Sequence, residues 1–239
     1  MARLHAGTSG WAYPSWKPAF YPEKLSQKRF LNYYATRVNA VEVNYTFRHM
    51  ASEKSLSNWI GETPQDFRFS LKAHQAITHI RRLKNAEEIV QRFISSLEPL
   101  LRAGKLGPVL FQLPPNCKAD AGVLTEFLAG LPRALRCAFE FRHDSWLGDQ
   151  IYEILKKHNA ALCVAESEER VTPDVCTADF CYYRFRKGDY SAPEREQITQ
   201  RLQGHLAENR EVFAYFKHEE SPAGALYAAE LLEKSVAAA

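Results

Sequence analysis

A single-domain α/β protein of the (β/α)8 barrel (TIM-barrel) class is predicted by three observations. Eight short runs alternate apolar and polar residues, most are followed by a stretch of helical periodicity, and each run ends in charged or amide side chains. Alternation marks strands with two distinct faces, and repeated strand-then-helix order calls for a parallel sheet. At 239 residues the chain suits one barrel with few insertions, so one domain is expected over residues 1–239.

The runs are LHAGTS (4–9), AVEVNYT (40–46), FRFSLKAH (67–74), PVLFQL (108–113), CAFEFRH (137–143), ALCVAE (161–166), FCYYRFR (180–186) and EVFAYFK (211–217). After the first, PEKLSQKRFLNYYATRV (22–38) sets Leu31, Tyr34 and Val38 on one stripe behind Pro22, which predicts an amphipathic helix. A short second helix is expected near SEKSLSNWIG (52–61). Asn85 is the candidate cap of NAEEIVQRFISSLEPLLRAG (85–104), with Ile89, Phe93, Leu97 and Leu101 as its apolar stripe, Pro99 as a kink and Gly104 as the stop. Asp120, Ser145 and Ser191 each precede a further periodic run and are read as caps. Between the sixth and seventh runs only TPDV (172–175) offers anything in place of a periodic helical stretch, which makes that crossover the weakest part of the barrel pattern. AGALYAAELLEKSV (223–236) is the last helix, and QLPP reads as a rigid turn out of the fourth strand.

Composition bounds the function classes. With 46% hydrophobic and 25% charged residues the chain can bury a core, which argues against disorder. No apolar run approaches the ~18 residues of a membrane span, and MARLHAGTSG has no apolar stretch of signal-peptide length, so a cytoplasmic protein without membrane contact is expected. Cys117, Cys137, Cys163, Cys176 and Cys181 are an odd set without a C-x-x-C pair and read as buried free thiols in preference to a disulfide or metal cluster. The net charge of +3 is too mild to argue for nucleic acid by itself. Neither G-x-G-x-x-G nor a P-loop occurs, which disfavours dinucleotide and nucleoside triphosphate cofactors.

In a closed barrel one parity of each strand faces the helices and the other the lumen, so the apolar parity marks the helix side. The lumen then receives Glu42, Asn44 and Thr46 from the second strand, and Arg68, Ser70, Lys72 and His74 from the third. Gln112 comes from the fourth, Glu140 and Arg142 from the fifth, Tyr182, Arg184 and Arg186 from the seventh, and Tyr215 and Lys217 from the eighth. Ser9 and Trp11 follow the first strand, and Glu166 ends the sixth. Lys72, Arg142, Arg184, Arg186 and Lys217 thus outnumber Glu42, Glu140 and Glu166. An unpaired buried charge is costly, so the excess predicts an anionic ligand, with phosphate favoured because arginine forks match its oxygens. The alternative is a closed ion-pair network that only fills the barrel.

Glu42 and Glu140 are candidates for general base and acid, burial raising the pKa of whichever is the acid; equally they serve as counter-ions orienting Lys72 and Arg142. Lys72 could activate a nucleophile, form a Schiff base or pair with an anion. His74, His79 and His143 follow strand ends, where they could join a glutamate on a divalent metal. Their spacing fits no zinc or iron signature and the cationic surround opposes a metal, so no cofactor is expected, with a divalent metal held open. Trp11, Trp16 and Trp146 could stack a base or sugar over the mouth, or plug the lumen.

The segments GTSGWAYPSWKPAFYP, VEVNYTF, FRFSLKAHQAITHIRRL, LGPVLFQLPP and FEFRHDSW, in that order, resemble the YecE-like proteins of domain-of-unknown-function family 72 over nearly the whole chain. The resemblance implies a TIM barrel. Carried across by motif, it picks out Ser9, Gly10, Trp11, Trp16, Glu42, Asn44, Thr46, Phe47, Lys72, Thr78, His79, Gln112, Pro114, Glu140, Arg142, Ser145 and Trp146. The chain departs from the family pattern at Arg186, where a histidine is usual, at Glu166, where an aspartate is usual, and at Lys217 and His218 in FKHEE, where an asparagine-rich ending is usual. Fold-level analogy with the endonuclease IV and xylose isomerase barrels adds a metal-dependent nuclease or isomerase as the alternative function. The reading favoured by the residues is an enzyme that binds a sugar phosphate or nucleotide and hydrolyses or rearranges it; a noncatalytic module for single-stranded nucleic acid is the third. The expected partner is therefore an anionic small molecule or a nucleic acid, and nothing in the sequence speaks to oligomeric state.

Overall fold

The computed structural model describes residues 2–237. Its strands are β1 (Leu4–Ser9), β2 (Ala40–Val43), β3 (Arg68–Lys72), β4 (Leu106–Gln112), β5 (Cys137–Glu140), β6 (Ala161–Glu166), β7 (Phe180–Phe185) and β8 (Glu211–Phe216). All pair in parallel with their sequence neighbours, and β8 closes on β1, so the (β/α)8 barrel is formed in one domain. No described helix is long and apolar enough to cross a membrane.

Strand parity is obeyed. Helix-facing residues such as Val41, Val43, Phe69, Leu71, Phe139 and Tyr183 belong to the large outer core, whereas Ala40, Leu110, Ala138, Cys163, Phe180, Tyr182, Phe213 and Tyr215 fill the lumen. The middle of the lumen is thus apolar and aromatic; the C-terminal strand ends above it are polar, and at the opposite end buried His5 stacks on Phe213 and contacts Glu211 at 2.9 Å. Several runs stop being strands earlier than their alternation suggests: β2 ends at Val43, and Tyr45–Phe47 forms a 3-10 turn whose Thr46 hydroxyl donates to the Val43 and Lys72 carbonyls.

The outer helices are α1 (Phe30–Tyr34), α2 (Glu53–Gly61), α3 (Glu87–Ser96), α4 (Glu98–Arg102), α5 (Ala121–Ala129), α6 (Asp149–Lys157), α7 (Ala192–Ala207) and α8 (Ala223–Ala237). α1 is much shorter than its periodic run, with a 3-10 turn at Gln27–Arg29 before it, yet Leu31, Tyr34 and Val38 are buried as expected. The Tyr34 hydroxyl reaches between β1 and β2, accepting from the Thr8 amide at 2.7 Å and donating to the Ala40 carbonyl at 3.0 Å. Asp120 caps α5 through the Val123 amide, and Ser191 forms a capping box with Glu194 on α7.

Three local expectations are corrected. Asn85 has positive φ and does not cap α3, because the chain enters that helix through Ala86. The buried stripe there is Val90, Phe93, Leu97 and Leu100, and Leu101 is exposed, because the helix breaks at Leu97 and restarts with Pro99 in the first turn of α4. Ser145 lies in a 3-10 turn (Asp144–Trp146), and α6 begins only after Gly148. Between β6 and β7 there is no helix at all.

Candidate functional site

Arg184 is the centre of the upper lumen. Only 1% exposed, it donates Nε and Nη2 to Glu42 Oε1, at 3.2 and 2.8 Å, and Nη1 to Glu140 Oε2. A buried guanidinium is tolerable only when both sides of its fork meet carboxylates. Glu42, fully buried, also accepts from Ser9 Oγ and the Tyr182 hydroxyl, both at 2.7 Å. Glu140 further accepts from Arg142 Nε at 3.0 Å and faces Arg186 Nη1 at 3.5 Å.

Above this layer opens a cavity of about 350 Å³ lined by Asn44, Tyr45, Phe47, Arg48, His49, Lys72, Gln112, Arg142, Arg184, Arg186, Lys217 and Glu219. Among the described residues, six of the lining side chains are lysine or arginine, and Glu219 is the sole carboxylate. Arg142 engages Glu140 through Nε alone, which leaves its terminal amino groups for a ligand. Lys72 donates to Gln112 Oε1 at 2.7 Å and lies 4.2 Å from the centre of the Phe47 ring. Burial, helped by the Arg184 charge, pushes its ammonium down to about 8. A second hollow of about 300 Å³, lined by residues including Trp11, Tyr13 and Trp59, shares Asn44 and Tyr45 with the first.

Of the residues selected from the sequence, Asn44, Lys72, Gln112, Arg142, Arg184, Arg186 and Lys217 meet at this cavity. Others are placed differently. Glu42 and Glu140 lie beneath the floor with their oxygens occupied, so their geometry is that of counter-ions. The expected rise in the pKa of one of them is reversed at Glu140: burial pushes it up, but Arg184, Arg142 and Arg186 outweigh burial and hold it well below the usual carboxylate range. Ser9 orients Glu42 and does not line the cavity. Glu166 turns to the helix side, 3.3 Å from Lys187 and 3.4 Å from Arg201, so the lumen holds one carboxylate fewer than the alternation suggested.

Trp146 is 2% exposed, stacks on Phe141 and donates to the Cys117 carbonyl, and Trp16 is fully buried; neither has a face for a ligand. Trp11 remains partly open in the second hollow. His74 contacts the Arg48 carbonyl, His79 sits edge-on to Phe47 beside Thr78, and His143 accepts from the Ser145 amide at the start of its 3-10 turn. Burial and the Lys72 and Arg142 charges push the His79 imidazole down. Among the described residues these histidines do not gather with a glutamate into a set of three metal donors. Arg48, His49 and Glu219 were not selected from sequence because they lie beyond the strand ends, where parity no longer indicates direction; Tyr45, which the apolar parity of its run gives to the helix side with Val41 and Val43, lines the cavity because β2 ends at Val43, and Phe47 was marked by motif alone.

A family model described as "Protein of unknown function DUF72" matches residues 5–239. The UPF0759 protein YunF of Bacillus subtilis is 31% identical over 156 residues, 63% of this chain and 54% of YunF. The chain therefore spans about half the length of the curated relatives it matches. A DUF72-family protein of Thermotoga maritima superposes with a TM-score of 0.83 at 26% identity, covering 98% of this chain and 99% of that one. One from Enterococcus faecalis superposes with a TM-score of 0.78 at 18% identity, covering 99% and 98% respectively.

Proposed function

The chain belongs to the DUF72 family, and from that premise we propose that the cavity at the C-terminal strand ends binds a small phosphate ester, a sugar phosphate or nucleotide, with the phosphate on the arginines and the ring toward Trp11 and Tyr45. The observation that carries this reading is the convergence of Arg48, Lys72, Arg142, Arg184, Arg186 and Lys217 on one cavity whose only lining carboxylate among the described residues is Glu219. Glu42 and Glu140 are largely consumed in fixing Arg184, which leaves the outer cations under-matched. Such an excess favours a polyanionic ligand, and planar guanidinium forks suit phosphate oxygens. The volume is that of a small-molecule site, which favours a metabolite over a nucleic-acid strand.

Catalysis, on this reading, centres on Lys72 in place of the two glutamates. An ammonium lowered to about 8 can release its proton near neutral pH, either to shuttle it or to present a free amine to a carbonyl. A metal-dependent isomerase or nuclease mechanism in this cavity finds little support, because histidine and carboxylate donors do not gather there.

Thermal-shift titration with phosphorylated sugars and nucleotides, each beside its unphosphorylated counterpart, tests the reading. The phosphorylated members should stabilise the wild type, and Arg142→Ala should lose that gain. Equal shifts in wild type and Arg142→Ala, or equal shifts with and without the phosphate, would refute it.

A further inference from the structure

A second cluster of reactive side chains lies on the outer wall, away from the cavity. Cys181 is the second residue of β7, whereas Arg184 lies near the far end of that strand and Arg186 just beyond it. Cys176 lies in the helix-less connection before it, and His205 in the last turns of α7. Cys176 Sγ is 3.3 Å from Cys181 Sγ and 3.5 Å from His205 Nδ1, and the three donor atoms all lie within 4.8 Å of one another. A tetrahedral zinc with Zn–S about 2.3 Å and Zn–N about 2.1 Å sets sulfur–sulfur near ~3.8 Å and sulfur–nitrogen near ~3.6 Å. The two spacings from Cys176 lie within about half an ångström of those values, and the Cys181–His205 spacing, within 4.8 Å, closes on them with a small side-chain adjustment.

Hydrogen bonding decides which nitrogen of His205 faces the thiols as an acceptor. The Tyr183 hydroxyl has one proton, and it donates that proton to Asp174 Oδ1 at 2.7 Å. Its 2.6 Å contact with His205 Nε2 therefore requires Nε2 to carry a hydrogen. In the neutral ring Nδ1 then presents its lone pair to the two sulfurs, the tautomer a metal ligand needs, and the Asp174–Tyr183 pair is the outer hydrogen-bonded support that commonly orients such a ligand.

We propose that Cys176, Cys181 and His205 bind a thiophilic divalent cation, zinc above all, with water in the fourth position, and that the ion pins the helix-less β6–β7 connection to β7 and α7. Thiolate and imidazole donors select zinc over hard cations such as magnesium. Elsewhere around the barrel a packed helix ties each crossover to the sheet. Here only TPDV and its neighbours span the gap, so a crosslink supplies what the missing helix does not.

The test uses the full chain, reduced and stripped with chelator, then titrated with zinc against a chromogenic competitor and, separately, with cobalt(II). One equivalent of zinc, a thiolate-to-cobalt charge-transfer absorption, a raised melting temperature on zinc addition and loss of all three in Cys176→Ser are expected. Tyr183→Phe should keep the absorption but weaken zinc by about 10–100-fold, the usual consequence of losing an outer support. No stoichiometric zinc in the reduced wild type, binding without a sulfur band, or a Cys176–Cys181 disulfide whose reduction yields thiols that ignore zinc would each overturn the proposal. The cobalt spectrum is read on the wild type, so a poorly folded variant cannot decide the outcome.

Discussion

Glu140 and Lys72 illustrate how one downward pKa shift has opposite consequences for stability in an acid and a base: at Glu140 the arginines overcome burial, whereas at Lys72 burial and the Arg184 charge act together. The Glu140 carboxylate is depressed by three arginines, so the stability it contributes is complete above the ordinary carboxylate range and is lost as pH falls through its lowered folded value. Glu140→Gln removes the counter-ion of Arg142 and half that of buried Arg184. It should cost about 3–5 kcal/mol in urea unfolding at neutral pH, the usual cost of orphaning a buried ion. Lys72 behaves oppositely. At pH 7 its amine is charged in both folded and unfolded chains, and the cost of holding that charge is relieved only as the folded amine deprotonates, from about 8 upward. Lys72→Met should therefore raise the melting temperature at pH 7 by about 2–4 °C, the shift worth ~1 kcal/mol in a chain of this size. The gain should shrink toward pH 10 in calorimetry, and the same variant should bind phosphate ligands more weakly.

Among the elements, one of the two shortest helices carries a decisive contact. α1 contributes Tyr34, whose hydroxyl stands in the β1–β2 ladder and satisfies the Thr8 amide and the Ala40 carbonyl. Tyr34→Phe strands both groups inside the barrel wall and should destabilise by about 1–3 kcal/mol in denaturant titration, although it removes a single oxygen. Asp120→Ala, which removes the α5 cap, should cost about 1 kcal/mol by the same measurement. Both caps with a local partner, Asp120 on Val123 and Ser191 with Glu194, were legible from sequence because cap and partner lie within three residues. Asn85 and Ser145 were misread because the approach of the preceding loop, a tertiary property, decided where those helices begin.

At the scale of the whole molecule, the barrel gathers under-matched positive charge at one rim, and folding stability should report its neutralisation. A phosphorylated ligand at 100 times its Kd should add about 2.7 kcal/mol. That gain, measured by melting at fixed multiples of the low-salt Kd, should fall as ionic strength rises, because the outer cations are partly solvated. Strand count, strand order and the facing of Lys72 and Arg184 were written in the alternation and spacing of the chain, since side-chain parity and helical period are local properties, and the sixth crossover stood out as the weakest point of the pattern. Which charges meet was decided elsewhere. Glu42 lies 142 residues from Arg184, Glu166 found its cations on the helix side, and Cys176, Cys181 and His205 came together across a strand, a loop and a helix. Only closure of the barrel sets those distances, and in a low-dielectric interior distance and burial determine whether a carboxylate acts on a ligand or holds an arginine in place.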